Sequence, residues 1–292
     1  MSSLLINPAR LSFCVPHALG GLVMAGHKGE ERQSGNGDCI LIDGSCGLVA
    51  LADGAERSPN ASRDFLVQLA GQLCQSEPKA WPDRQGWLLD AVHQVLDGFA
   101  YEERTTFICL LAGEEGAGFY VSGGDSLLFL LDPSAARIRF SNRSNMGFAG
   151  RSKRVMDSGK ISAGQGDLFL LASDGLWDLL SGRRRDLIRF VFEELQAGPF
   201  HTFPERLVRA KHPSFRGALD QPYDDLSILL VSPGGLARVR SRMLVGGTGK
   251  GMEMHYRKQR SRGALPDRQL RLPGRDSSLW VFPDELQLLE KP

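Results

Sequence analysis

No apolar run in the chain reaches the ~20 residues that a membrane-spanning helix needs, so no spanning helix is expected. Cysteine is sparse and shows no pairing pattern. Cys14, Cys39, Cys46, Cys74 and Cys109 are odd in number, form no CxxC, and mostly sit inside apolar runs, where the thiol behaves as a small hydrophobe. That usage excludes a disulfide scaffold and points to a reducing compartment. Charge of either sign is not in excess: 35 Lys and Arg against 34 Asp and Glu give +1, too little to draw the chain as a whole to nucleic acid or a membrane surface. His27, His93 and His255 have no partner spacing, and no His/Cys cluster has the spacing of a zinc site. The first residues, MSSLLINPARLSF, lack a basic stretch ahead of an apolar one, so a secretory signal is not expected. These absences together predict a soluble, cytoplasmic protein.

The chain does have short β-rich runs divided by acidic and glycine turns. Residues 38–42 and 46–52 read as a hairpin around Asp43-Gly44-Ser45, and further strands are predicted at 105–112, 117–122, 126–131, 136–141, 167–172 and 226–231. A helix capped by Ser58 with Pro59 at its first position carries Leu66, Leu69 and Leu73 on one face. Others are predicted at roughly 84–103, 184–196 and 203–211. Strand clusters interleaved with helix pairs imply an α+β fold: two antiparallel sheets packed as a sandwich, with helix pairs on the outer faces.

Ser232-Pro233-Gly234-Gly235 breaks this pattern, and from Lys250 to Arg275 eight Lys or Arg face only Glu253 and Asp267 among acids. The reading is a domain over 1–232 and, over 233–292, a basic linker and extension of unknown role, with a mobile tail that could bind an acidic partner. Gly246-Gly247-Thr248-Gly249-Lys250-Gly251 is not a phosphate loop. Leu244 stands where its first Gly must be and Gly251 where its Ser or Thr must be, so a flexible linker is expected.

Four acidic turns carry the chemistry: Asp53-Gly54, Gly124-Asp125, Asp174-Gly175 and Asp224-Asp225. Each alone is most simply a tight turn. Together they are far apart in sequence yet each adjoins an apolar strand, and carboxylates gathered at strand ends repel one another unless divalent cations hold them.

Asn36-Gly37-Asp38, Ala52-Asp53-Gly54, Gly123-Gly124-Asp125-Ser126, Ala172-Ser173-Asp174-Gly175-Leu176-Trp177-Asp178 and Asp224-Asp225-Leu226-Ser227 stand in an order and spacing that resembles the metal-dependent type 2C serine/threonine protein phosphatases. The most specific stretch is 169–181, FLLASDGLWDLLS, and the resemblance spans about 20–232. It implies two Mg²⁺ or Mn²⁺ ions, with Asp53 bridging them, the Gly54 carbonyl on one, Asp174 and Asp224 on the other, Asp38 close by, and Asp125 on a looser third. It also implies hydrolysis of phosphoserine and phosphothreonine by attack of a metal-bridging water, on a phosphoprotein substrate set against a Ser/Thr kinase, in a protein of bacterial type.

The sequence departs from that pattern in places. Gly37 occupies the position of a Glu that contacts the second metal. Arg32, the candidate phosphate-gripping arginine, lies one residue further out than the pattern places it. No His follows Asp53-Gly54, so metal-bound water is the expected general acid, with Glu56 as the substitute. The span from Asp125 to Asp174 is short, which implies a reduced flap beside the site. Two other readings stay open: a catalytically weakened phosphatase-fold module that binds a phosphoprotein or regulatory partner, and a phosphatase acting on an anti-sigma antagonist.

Overall fold

The computed structural model describes residues 10–26, 36–55, 58, 60–74, 81, 83–100, 104–113, 116–143, 149, 157–180, 184–211, 223–236, 239, 241–248, 251–258 and 287–288. Fourteen strands occur among them: β1 (Arg10–Val15), β2 (Leu19–Met24), β3 (Asp38–Asp43), β4 (Leu48–Gly54), β5 (Thr105–Ala112), β6 (Ala117–Gly123), β7 (Leu127–Asp132), β8 (Arg137–Ser141), β9 (Asp157–Ser162), β10 (Leu168–Ala172), β11 (Leu226–Val231), β12 (Ser241–Thr248), β13 (Gly251–Lys258) and β14 (Gln287–Leu288). They form two seven-stranded antiparallel sheets, ordered β14-β1-β2-β11-β10-β7-β8 and β13-β12-β3-β4-β5-β6-β9.

Strand alternation explains the architecture. Ile40 and Ile42 of β3, Val49 and Leu51 of β4, Ile108 and Leu110 of β5, Phe169 and Leu171 of β10, and Leu229 and Val231 of β11 pack into one core between the sheets. The alternate residues of the same strands face outward under helices. Cys39, Leu41, Leu48 and Ala50 meet Phe65, Leu69, Leu88 and Val92 from helices α1 (Ala61–Cys74) and α2 (Asp83–Gly98). On the other sheet, Leu170, Ile228 and Leu230 meet Val191, Phe192, Leu207 and Val208. Those last four come from α4 (Arg184–Gln196) and α5 (Phe203–Lys211), which follow the short α3 (Gly175–Leu179). A strand covered on both faces must be apolar at every position, which is why DCILID, TTFICLLA and LSILLV read as continuous runs.

The sandwich takes in chain from beyond the expected boundary at 233. β12 lies inside a sheet, between β13 and β3, with Arg242 opposite Asp43 and Gly246 opposite Cys39. Gly246-Gly247-Thr248 is therefore strand rather than flexible linker, and it pairs with Gly251-Met252-Glu253 in a hairpin. A Cβ on Gly246 would come within 2.6 Å of the Cys39 sulfur, so the glycine here serves close packing and not mobility. Strands β1, β2 and β9 and helix α3 also occur where the sequence pattern gave no element.

Candidate metal centre

Asp38 opens β3 and Asp53 stands near the end of β4, and the register sets them directly opposite one another. Asp38 shares its strand face with Ile40 and Ile42, and Asp53 shares its face with Leu51, so both carboxylates point between the sheets at the open end of the core. The facing sheet contributes from the same end: Asp174 follows β10 at the entry to α3, and Asp224 precedes β11. Asp125 sits in the turn between β6 and β7, beside Gly124, whose φ of 93° only a residue without a Cβ adopts freely.

Short polar side chains lock these strand ends. The Ser173 amide donates to the Ser227 carbonyl at 3.0 Å, and the Ser227 amide donates to Ser173 Oγ at 2.9 Å, so the loops bearing Asp174 and Asp224 are tied to each other. Thr105 Oγ1 donates to the Asp53 carbonyl at 2.7 Å, and the Asp38 amide donates to Asn36 Oδ1 at 2.7 Å. The Gly54 amide donates to the Gly37 carbonyl at 3.0 Å, and Ser62 at the start of α1 donates to that same carbonyl.

The acids act on one another. Burial pushes the Asp53 carboxyl well above the ordinary carboxylate range, and Asp38, Asp174, Asp224 and Asp125 each add to the shift by like-charge repulsion. Burial likewise raises Asp38 far above its usual value, with Asp225 and then Asp174 adding to it and the Ser173 and Ser227 hydroxyls opposing. Asp125 is raised by burial and by Asp224, against its own backbone amide. Both carboxylate oxygens of Asp38 are buried with no partner at hydrogen-bonding geometry. A buried, unpartnered acceptor pair among like charges is costly, and it is what a cation would relieve.

Asp38, Asp125, Asp174 and Asp224 thus lie near enough to Asp53 to act on its charge, with acids contributed from both sheets. Among the described residues, no group of three or more His, Cys, Asp or Glu side chains is drawn together closely enough to hold a metal ion. The donors are all oxygens, which fits a hard divalent cation such as Mg²⁺ or Mn²⁺ and does not fit zinc. Arg32 and Glu56 lie outside the described residues.

Asp225, the second acid of the Asp224-Asp225 turn, also acts on Asp38 by like charge. Asp225 is buried, and its two oxygens accept hydrogen bonds from the Gly26 and Gly37 amides, each at 2.6 Å. In the sequence it shows only as the second member of the Asp-Asp doublet, whose first member the resemblance makes a ligand.

Searches by structure find this arrangement of sheets and helices in solved proteins. A bacterial serine phosphatase superposes with a TM-score of 0.58 at 20% identity, covering 74% of this chain and 98% of its own. The chain has the fold of the bacterial PPM phosphatases. The Mycobacterium tuberculosis serine/threonine phosphatase PstP/Ppp matches at a TM-score of 0.55 and 20% identity, over 75% of this chain and 98% of that one. The catalytic domain of PstP in complex with two manganese ions gives 0.54 and 21%, over 75% and 97%. No family model and no curated protein sequence matches the chain. The phosphatase fold is thus shared at the level of architecture, while the chemistry rests on the residues described above.

Proposed function

We propose that the protein is a metal-dependent phosphoprotein phosphatase that hydrolyses phosphoserine and phosphothreonine. The observation that carries this reading is the like-charge crowding of Asp53 by Asp38, Asp174, Asp224 and Asp125, beside Asp38 oxygens that are buried without a hydrogen-bond partner. The two manganese ions in the structurally similar PstP domain support it. Asp53 and the Gly54 carbonyl would hold one ion, Asp53, Asp174 and Asp224 the other, with Asp38 adjacent and Asp125 available to a third. Such ions, when bound, acidify water and neutralise charge on a transferring phosphoryl group. The chain supplies rigidity: the Ser173–Ser227 pair and Thr105 hold the ligand-bearing main chain so that little reorganisation accompanies the reaction. The substrate would be a phosphorylated protein set against a Ser/Thr kinase, and the basic segment after Lys250 would meet an acidic partner. Among the described residues no helix is long and apolar enough to cross a membrane.

The measurement that tests this is release of phosphate from a phosphothreonine peptide by the full chain with Mn²⁺, with chelator, and with Asp174→Asn. Turnover in Mn²⁺ that is lost in both other conditions is the expected result. A second reading, a phosphatase-fold module that binds without turnover, is favoured by Gly37. That position carries no side chain, and a Cβ there would meet the Gly54 carbonyl at 2.8 Å, so a ligand cannot simply be restored to it. Tight phosphopeptide binding with no hydrolysis by the folded protein in saturating Mn²⁺ would select that reading and reject the enzyme.

A further inference from the structure

We propose that Asp225 is a positioning residue: a two-pronged carboxylate strap that draws the loops of Gly26 and Gly37 onto the Asp224 loop and so sets Asp38 and Asp53 for metal. This rests on the metal-site reading above. Three observations carry it.

The first is geometry. The Gly26 and Gly37 amides both donate to Asp225, at 2.6 Å, across sequence separations of 199 and 188 residues. Charge-assisted bonds of this length are about twice as strong as neutral ones, and a carboxylate accepts two donors without compromise.

The second is space. A Cβ on Gly26 would lie 2.5 Å from the Asp224 carbonyl carbon and the Asp225 amide nitrogen. One on Gly37 would lie 3.3 Å from Asp225 Oδ2 as well as 2.8 Å from the Gly54 carbonyl oxygen. The two glycines are notches that admit the strap, and the Asp225 carboxylate stands where a residue-37 side chain would pass. Gly37 and Asp225 are thus one feature: the acid missing from position 37 is matched by an acid at 225 that grips the main chain instead.

The third is connectivity. The Gly37 peptide that Asp225 holds by its N–H accepts the Gly54 amide and the Ser62 hydroxyl at its carbonyl. The next residue is Asp38. The strap therefore reaches Asp38 directly and Asp53-Gly54 through one further hydrogen bond, while its own chain neighbour is Asp224.

The test uses the full chain and Asp225→Asn, which keeps the size of the side chain but replaces one accepting oxygen by a donor. Mn²⁺ binding is followed by calorimetry and the Gly26 and Gly37 amides by hydrogen exchange in metal-free protein. The expected result is a far-ultraviolet spectrum like that of wild type, faster exchange of at least one of the two amides, and Mn²⁺ affinity lowered about tenfold to a hundredfold, as for other residues that orient metal ligands. Leu69→Ala, in the helix core away from the site, is expected to lower stability and leave Mn²⁺ affinity unchanged, which separates positioning from general weakening. Unchanged affinity in Asp225→Asn overturns the proposal. Should the variant fail to fold, wild-type exchange decides: unprotected Gly26 and Gly37 amides overturn the strap, and protected ones support it. Wild-type protein that binds no Mn²⁺ would instead reject the metal-site reading, with amide exchange still deciding the strap.

Discussion

Asp53→Asn is expected to raise the melting temperature of the metal-free protein and, on the proposed metal-phosphatase reading, to remove both stabilisation by Mn²⁺ and nearly all hydrolysis. An acid whose folded pKa stands above its unfolded value destabilises the fold at neutral pH, and the penalty is relieved as pH falls through the folded pKa. Asp53 and Asp38 are both in that position, because burial and neighbouring acids push them up. Metal-free wild type should therefore become more stable as pH is lowered from ~7.5 to ~5.5, before general acid unfolding begins. Neutralising Asp53 removes the cost of burying its charge and the repulsion from its neighbours at any pH, so the melting temperature in chelator should exceed that of wild type. The cost appears with metal. If Asp53 holds metal as proposed, its loss should lower hydrolysis about a thousandfold, which corresponds to roughly 4 kcal/mol of transition-state stabilisation. Melting curves in chelator and in Mn²⁺ at both pH values check the prediction. A variant that is less stable than wild type in chelator, or that still gains stability from Mn²⁺, would contradict it.

Arg242→Ala is expected to destabilise the protein by about 3–5 kcal/mol, the usual consequence of leaving a buried charge without its partner. Asp43 is 1% exposed at the end of β3, and Arg242 of β12 grips its Oδ2 through Nε at 2.6 Å and through Nη2, while the Ser45 amide and hydroxyl hold Oδ1. The same guanidinium reaches the Ala70 carbonyl and Cys74 at the end of α1, so one side chain ties β12 to β3 and to the helix layer. Met243 and Val245 of the same strand are fully buried in the inter-sheet core. A chain ending at residue 232 would lose both, at about 1.5–3 kcal/mol each, and would leave β3 as a bare edge with Asp43 unpaired. It is expected not to reach the native fold. Denaturant unfolding of Arg242→Ala and circular dichroism of the 1–232 chain are the measurements. Wild-type stability in Arg242→Ala would contradict the first expectation, and a native spectrum of the 1–232 chain would show that the sandwich closes without β12.

Much of this was legible in the sequence, for local reasons. Helices at 184–196 and 203–211 and the strand at 226–231 appear where periodicity and apolar runs placed them, because turn residues bound each segment. The strands β1 and β2 were not legible. Pro16 and the Gly20-Gly21 pair look like breaks, yet Gly20 is pressed by the His201 main chain and Gly21 by the Phe13 ring, so these glycines answer to neighbours rather than to a turn. Gly246 in β12 misled in the same way, since the sulfur it accommodates is 207 positions earlier in the chain, at Cys39.

The sequence by itself determined the acids. Asp38, Asp53, Asp125, Asp174 and Asp224 each stand at a strand end that local pattern can find, and the repulsion among them follows from their number and type once the ends are near. Only the tertiary structure decided how those ends are held. The Asp225 strap, its two glycine notches and the Arg242 tie join residues up to 199 positions apart. A carboxylate looks the same in sequence whether it will meet a cation, a backbone amide or a guanidinium. Which of the three it meets depends on the packing of two sheets, and no local window contains both.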